Sequence, residues 1–363
     1  MISRQAIQVF SPSLFPEDLD HVLAHTRDDW EELRGRRLFI TGGTGFFGMW
    51  LLESFAWANC RLNLQAEAVV LTRNPEQFAG KAPHLTAERS LRIHRGDVRD
   101  FQFPGGEFPF VIHAAAPVNV AMNRDEPLAM LDIVAAGTRR VLDFAIGHTT
   151  RKFLVISSGA VYGRQPSNIT HLPEEYAGGP ETTSPVAAYA EGKRLAELLA
   201  AIYSRQHSME VKIARCFAFV GPYLPLDGNY AIGNFVRDAL NGGPVIVRGD
   251  GTPRRSYLYA ADLAIWLWTV LFRGSSCRPY NVGSDVDLSI ESLARCVGET
   301  VAGTVPISLA CEAAQGQLSE RYVPQITRAQ RELGLAVLVP LAEGIRRTAA
   351  FVRRQSGKET VQQ

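Results

Sequence analysis

From residue 38 onward, short continuous apolar runs alternate with longer segments whose apolar positions recur at helical spacing. The runs 38–41, 68–72, 91–94, 110–113, 153–157 and 211–219 read as strands, and those apolar throughout read as buried on both faces, because a half-exposed strand would alternate. Segments 49–58, 128–145 and 186–206 read as helices. Strands alternating with helices at this spacing predict βαβ units in an α/β, doubly wound parallel sheet. Upstream, Leu19, Val22, Leu23, Trp30 and Leu33 predict a helix over 16–33 with a packing or interface role. Between 163 and 185 the pattern dissolves into Pro, Gly, Ser, Thr and Glu, and a loop that long inside a compact domain is usually functional. Beyond 221, turns at Pro222, Pro225, Gly228, Gly242-Gly243-Pro244 and Gly249-Asp250-Gly251 predict a smaller lobe over the carboxyl edge of the sheet, with 280–283 a strand able to rejoin it. The divisions are therefore 1–35, an extension; 36–220, the sheet domain; 221–351, mainly the lobe; and 352–363, a tail.

The first strand runs into Thr41-Gly42-Gly43-Thr44-Gly45-Phe46-Phe47-Gly48 and then into a helix. Gly43, Gly45 and Gly48 fit G-x-G-x-x-G, and Gly42, Gly45 and Gly48 fit the more even G-x-x-G-x-x-G. Both spacings serve a tight turn, close backbone approach to a diphosphate, and a helix start whose free N–H groups receive the anion.

Composition narrows the classes. With 38 Lys plus Arg against 37 Asp plus Glu in 363 residues, no global charge favours nucleic acid or an anionic membrane. Anion binding has to be local. Five cysteines, Cys60, Cys216, Cys277, Cys296 and Cys311, show no metal-ligand spacing and read as thiols of a reducing compartment. The proline-broken start lacks the features of a signal peptide, and 265–272 is far short of the roughly 20 apolar residues that span a bilayer. The expectation is a cytoplasmic protein without metal.

Tyr189 and Lys193 share one helical face, and Ser158 ends a predicted strand. Tyrosine is a poor base with a reference pKa of about 10; a neighbouring cation favours its phenolate, and a serine hydroxyl can share the proton.

Taken together, these motifs resemble an extended short-chain dehydrogenase/reductase of the nucleotide-sugar epimerase and dehydratase group, over roughly 37–351. The resemblance is to the UDP-galactose 4-epimerase and UDP-xylose synthase groups. It implies an NAD(P)-binding Rossmann domain with Gly42, Gly45, Phe46, Phe47 and Gly48 as phosphate loop, Asp97 and Val98 at the adenine, and Ala114 and Ala115 after His113 beneath the cofactor. Ser158, Tyr189 and Lys193 fall on the catalytic triad, Lys193 also holding the nicotinamide ribose. Asn234 at a helix start over 235–240, Arg255 and Arg321 match groups directed at the substrate diphosphate. The partners implied are a nucleotide-diphosphate sugar and a second copy of the chain, paired through 128–145 and 186–206, a surface that residues 1–35 would otherwise cover.

Three departures matter. Where dehydratases and decarboxylases of the group carry an acid or acid pair after the catalytic Ser/Thr, this chain has Gly159 and Ala160. Ala218 stands for the usual Asn of R-x-F-N-x-Y-G-P. No acid ends the second strand; Arg73 stands there instead and leans the cofactor, NAD or NADP, toward NADP. The leading expectation is an epimerase acting through a keto-sugar at C4. Alternatives are a 4-keto-sugar reductase, a dehydratase or decarboxylase whose acid comes from Glu174, Glu175 or Glu191, and a non-catalytic nucleotide-binding scaffold.

Overall fold

The computed structural model describes residues 15–116, 120–228, 230–311 and 319–357. Seven strands form one sheet: β1 Arg37–Thr41, β2 Glu67–Thr72, β3 Leu91–Arg95, β4 Phe110–His113, β5 Lys152–Ser158, β6 Glu210–Cys216 and β7 Pro279–Val282. The spatial order is 3-2-1-4-5-6-7, and every neighbouring pair is parallel. The order reverses between β1 and β4, which opens a crevice at their carboxyl ends, the position where such sheets take ligands.

Alternation along β1 sends Leu38 and Ile40 into one core and Phe39 into the other. On the Phe39 side lie α3 (Pro127–Gly147) and α4 (Ala188–His207), packed against each other. The other side holds α1 (Pro16–Thr26), α2 (Phe46–Leu62) and α5 (Ala260–Arg273). α5 is buried all round from Ala260 to Phe272, which explains an apolar run too short for a membrane. Trp268 on α5 donates to Ser54 of α2 at 2.8 Å, and Trp50 of α2 to the Pro222 carbonyl at 3.0 Å, so the buried indoles leave no donor unmet.

The segment 16–33 is not one helix. Thr26 Oγ1 donates back to the Val22 carbonyl at 2.7 Å and accepts from Trp30 at 2.8 Å, and the chain tightens into a 3₁₀ turn, Arg27–Leu33. The described residues of this extension, 15–35, lie against α2 and α5, with Phe15 stacked on Trp50 at 4.8 Å, on the side of the sheet away from α3 and α4. The expected strand 211–219 also divides. β6 ends at Cys216, and Phe219–Val220 pairs with Leu258–Tyr259 in a separate two-stranded sheet. A further small sheet sets Arg254–Arg255 between Leu288–Ser289 and Arg321–Tyr322.

Candidate active site

At the end of β1 the chain turns on Gly42, whose φ of +71° suits glycine. A Cβ there would sit 2.6 Å from the Ala114 carbonyl, so the turn lies directly on the segment after β4. A Cβ on Gly48 would meet the Gly42 oxygen at 2.3 Å, whereas one on Gly43 would strike Val70 of β2 at 2.5 Å. Gly43 thus serves sheet packing. Gly45 is exposed, its Cβ would meet only Gly42 O at 3.4 Å, and it is the residue before α2, with no side chain capping that helix. The cradle is built from 42, 45 and 48, with an uncapped helix start pointing at it, and it fits a dinucleotide diphosphate. Phe46 and Phe47 form the first turn of α2, Phe47 edge-on to Phe219.

Behind this loop, His113 is fully buried between the hydroxyls of Thr41 (2.8 Å) and Thr138 (3.0 Å), and burial pushes its pKa down to about 3. It is a neutral structural histidine, and Thr41 also accepts from Ala115 N at 3.2 Å. Asp97 forms a two-pronged pair with Arg99 at 2.8 and 3.1 Å, which holds its carboxyl below the ordinary range; Arg73, exposed at the end of β2, adds to that effect. Val98 is buried against Gly137 of α3. Lys81, which no motif marks, reaches back to the Thr44 carbonyl at 3.1 Å, and burial lowers its pKa.

β5 and α4 bring the Ser, Tyr and Lys together. Ser158 ends β5 and accepts from Ala160 N at 3.1 Å. Lys193 is 3% exposed, donates to the Ile156 carbonyl at 2.7 Å, and lies 5.9 Å from the Tyr189 ring centre; burial brings it down to about 8. The Tyr189 phenol contacts Ser158, which favours its phenolate, but burial dominates and pushes it up to about 12. Asn123 fixes the start of α4 by accepting from Tyr189 N at 2.9 Å. A third group, absent from the sequence reading, is Tyr322, whose hydroxyl also contacts Ser158.

In the lobe, Arg254–Arg255 pairs in register with Arg321–Tyr322, which gathers the two arginines chosen from sequence. They differ in state. Arg321 donates to Asp287 at 2.8 Å, a carboxylate it shares with Arg254, while Arg255 donates to the Arg254 carbonyl at 2.9 Å and makes no ion pair among the described residues. Asn234 does not open its helix, which runs Ala231–Leu240; it sits in the first turn and donates to Gly228 O at 3.0 Å. Each acid considered as a substitute is otherwise held: Glu174 by Asn281 N at 3.0 Å, Glu175 by Arg328, Glu191 by Arg194 at 3.6 Å. Among the described residues no cluster fit for a metal is found.

Comparison with known proteins sets this geometry in context. The model of the NAD dependent epimerase/dehydratase family matches residues 38–283. UDP-glucuronic acid decarboxylase 1 of Xenopus tropicalis is 29% identical over 323 residues, 88% of this chain and 73% of that protein. UDP-glucuronic acid decarboxylase 5 of Arabidopsis thaliana is 28% identical over 312 residues, 85% and 87% respectively. Among solved structures, a dTDP-glucose 4,6-dehydratase from Streptomyces venezuelae with NAD and TYD bound is similar at 26% identity and a TM-score of 0.73, covering 88% of this chain and 98% of its own. An epimerase from Methanothermobacter thermautotrophicus shares the fold at 22% identity and a TM-score of 0.76, covering 92% and 97%.

Proposed function

The chain belongs to the NAD dependent epimerase/dehydratase family, and on that premise we propose that it is an NAD(P)-dependent nucleotide-sugar epimerase working through a keto-sugar, at C4. The observation that carries this reading is Ser158, Tyr189 and Lys193 assembled beside a glycine cradle while positions 159 and 160 carry no acid. An epimerase needs a reversible proton acceptor and a hydride carrier; elimination or decarboxylation asks for a further acid.

NAD(P), when bound, takes up and returns the hydride. In this reading the backbone at Gly42, Gly45 and Gly48 receives its diphosphate, Asp97 and Val98 border the adenine, and Lys193 holds the ribose. Tyr189 Oη takes the proton of the substrate hydroxyl as hydride leaves the same carbon, and gives it back on return. Ser158 supports the phenolate and binds the sugar oxygen. Arg255, Arg321 and Asn234 face the nucleotide diphosphate, for which a guanidinium fork is suited. Arg73 sets the choice between NAD and NADP, and its guanidinium favours a 2′-phosphate. We place the protein in the cytoplasm; no helix among the described residues is long and apolar enough to cross a membrane.

The relatives named as UDP-glucuronic acid decarboxylases favour a second reading, in which oxidation is followed by loss of a carboxylate. Two measurements separate the readings. Denaturing the purified protein and identifying released dinucleotide by mass should give tightly held cofactor for internal redox cycling, readily exchanged NADPH for a reductase, and none for a scaffold. Incubation with UDP-, GDP-, CDP- and dTDP-sugars, UDP-glucuronic acid included, should then give an epimer of unchanged mass. Release of carbon dioxide or water from the true substrate would overturn the epimerase reading.

A further inference from the structure

The glycine cradle accounts for a diphosphate, yet two cations beside it are left without a counter-charge. Lys81 ends the short helix Pro75–Lys81, and its ammonium donates to the Thr44 carbonyl of the cradle at 3.1 Å. Arg73, exposed, is the first residue past β2. Neither makes an ion pair among the described residues. Desolvation disfavours an ammonium unless an opposite charge offsets it, and partial burial accordingly holds the Lys81 pKa below its ordinary value.

The acids nearby are engaged elsewhere. Glu76 of the same short helix pairs with Arg95. Asp97, whose carboxyl Arg73 helps to hold down, is taken two-pronged by Arg99. Glu53, buried in α2, meets His84 and the Tyr223 hydroxyl, each at 2.6 Å, while Lys81 meets Tyr223 only over its ring, 5.9 Å from the centre. An unmet positive charge at the rim of an anion cradle points to a second anion.

Both cations stand on the β2 side of the loop. Thr41 of β1 pairs with Leu71 of β2, so Arg73 follows at the level of Gly43, which itself packs on Val70. Thr44, the residue that Lys81 holds, is next along the loop. In doubly wound folds the adenosine ribose lies at the end of the second strand, where an acid binds its 2′-hydroxyl or an arginine its 2′-phosphate. No acid ends β2 here. We propose that Lys81 joins Arg73 in a 2′-phosphate site, which makes NADP(H) the dinucleotide of this protein. The cradle N–H groups bind a diphosphate that NAD and NADP share, so only the two cations sense the difference. Arg73 offers a planar fork and Lys81 a point charge, and both suit a phosphate. The element that carries them is anchored: the Asn74 side chain caps it by accepting from Gln77 N at 2.9 Å, Pro75 opens it, and Phe78 is buried beneath it.

The inference rests on the dinucleotide reading of the glycine cradle, and its test needs no sugar. Full-length protein is dialysed to equilibrium against equimolar NAD⁺ and NADP⁺, so that any cofactor carried through purification exchanges with the pool. The dinucleotides retained are then identified by mass after denaturation. Wild-type protein should retain more NADP⁺ than NAD⁺. Lys81→Gln, which keeps an N–H for the Thr44 carbonyl but no charge, and Arg73→Gln should each lower the NADP⁺-to-NAD⁺ ratio by about 10-fold to 100-fold, the worth of one charge-assisted hydrogen bond. NAD⁺ binding should persist in both, and because the ratio counts only molecules that bind, a partly unfolded variant does not distort it. A wild-type preference for NAD⁺, an unchanged ratio in either variant, or a parallel loss of both dinucleotides overturns the proposal. Failure of the nucleotide-sugar reading appears separately, as inactivity across the sugar panel with the NADP⁺ preference intact.

Discussion

At the scale of residues, burial sets what each group of the site is able to do. Burial alone pushes Tyr189 up to about 12 and draws the cation beside it, Lys193, down to about 8, so Tyr189 serves as proton acceptor only with the positive charge of Lys193 and of an oxidised nicotinamide favouring its phenolate. Tyr189→Phe retains the ring but removes the proton acceptor, so turnover should fall by about 100-fold to 10,000-fold with cofactor affinity retained. Near-normal turnover in that variant would end the mechanism. The arginines should separate. Arg255→Ala should weaken nucleotide binding by about 1.5–3 kcal/mol, the range for hydrogen bonds to charged groups, and Arg321→Ala by less, because Arg321 already shares Asp287. Calorimetric titration with UDP decides this; equal affinities in both variants and wild type would remove them from the site. His113 gives a stability signature. Its folded pKa of about 3 lies below the unfolded value of about 6.5, so only the unfolded chain takes up a proton between them. Stability contributed by this residue is complete above pH 6.5 and falls as the pH drops, by at most about 1.4 kcal/mol per unit. Urea midpoints at pH 7 and 5 should converge more closely in His113→Asn than in wild type.

At the scale of elements, the glycines divide by what surrounds them. Gly48→Ala would force a Cβ to 2.3 Å from the Gly42 oxygen, and overpacking of this kind costs about 1–3 kcal/mol. Gly45→Ala meets nothing closer than 3.4 Å and has extended backbone, so stability should hold while dinucleotide affinity drops. Denaturation curves and dinucleotide binding on both variants check the contrast; a Gly45→Ala protein that binds normally would place the diphosphate elsewhere. The alternation of buried runs and helical periodicity makes the sheet and its main helices legible in the sequence alone. Boundaries that depend on partners are not. The break of 211–219 at Cys216 follows from β7 ending beside it and the small lobe sheet taking over, and both partners lie far along the chain. The 3₁₀ turn after Thr26 depends on a hydroxyl choosing the Val22 carbonyl.

At the scale of the whole molecule, the described part of the extension, 15–35, lies over α2 and α5, on the side of the sheet away from α3 and α4. Leu128, Leu195, Leu198 and Ile202 of those helices are 77%, 39%, 58% and 41% exposed. A large apolar face of this kind marks an interface, and we expect a two-fold homodimer formed through it. Light scattering at micromolar concentration should give the mass of two chains, and Leu198→Glu that of one; a wild-type monomer would count against the pairing. What the sequence determined by itself was everything carried by local periodicity and by short motifs: the parallel sheet, the glycine cradle after β1, and a tyrosine and lysine on one helical face following a strand-end serine. These are legible because each lies within one strand, turn or helix, where spacing alone fixes geometry. Only tertiary structure decided that Arg321 shares Asp287 while Arg255 makes no ion pair among the described residues, which glycine serves the sheet, and that Tyr322 stands over Gly159. Those outcomes depend on desolvation and on contacts between different elements, from Gly43 with Val70 and Arg321 with Asp287 to Tyr322 with Gly159, and neither quantity is written in any one local window of the chain.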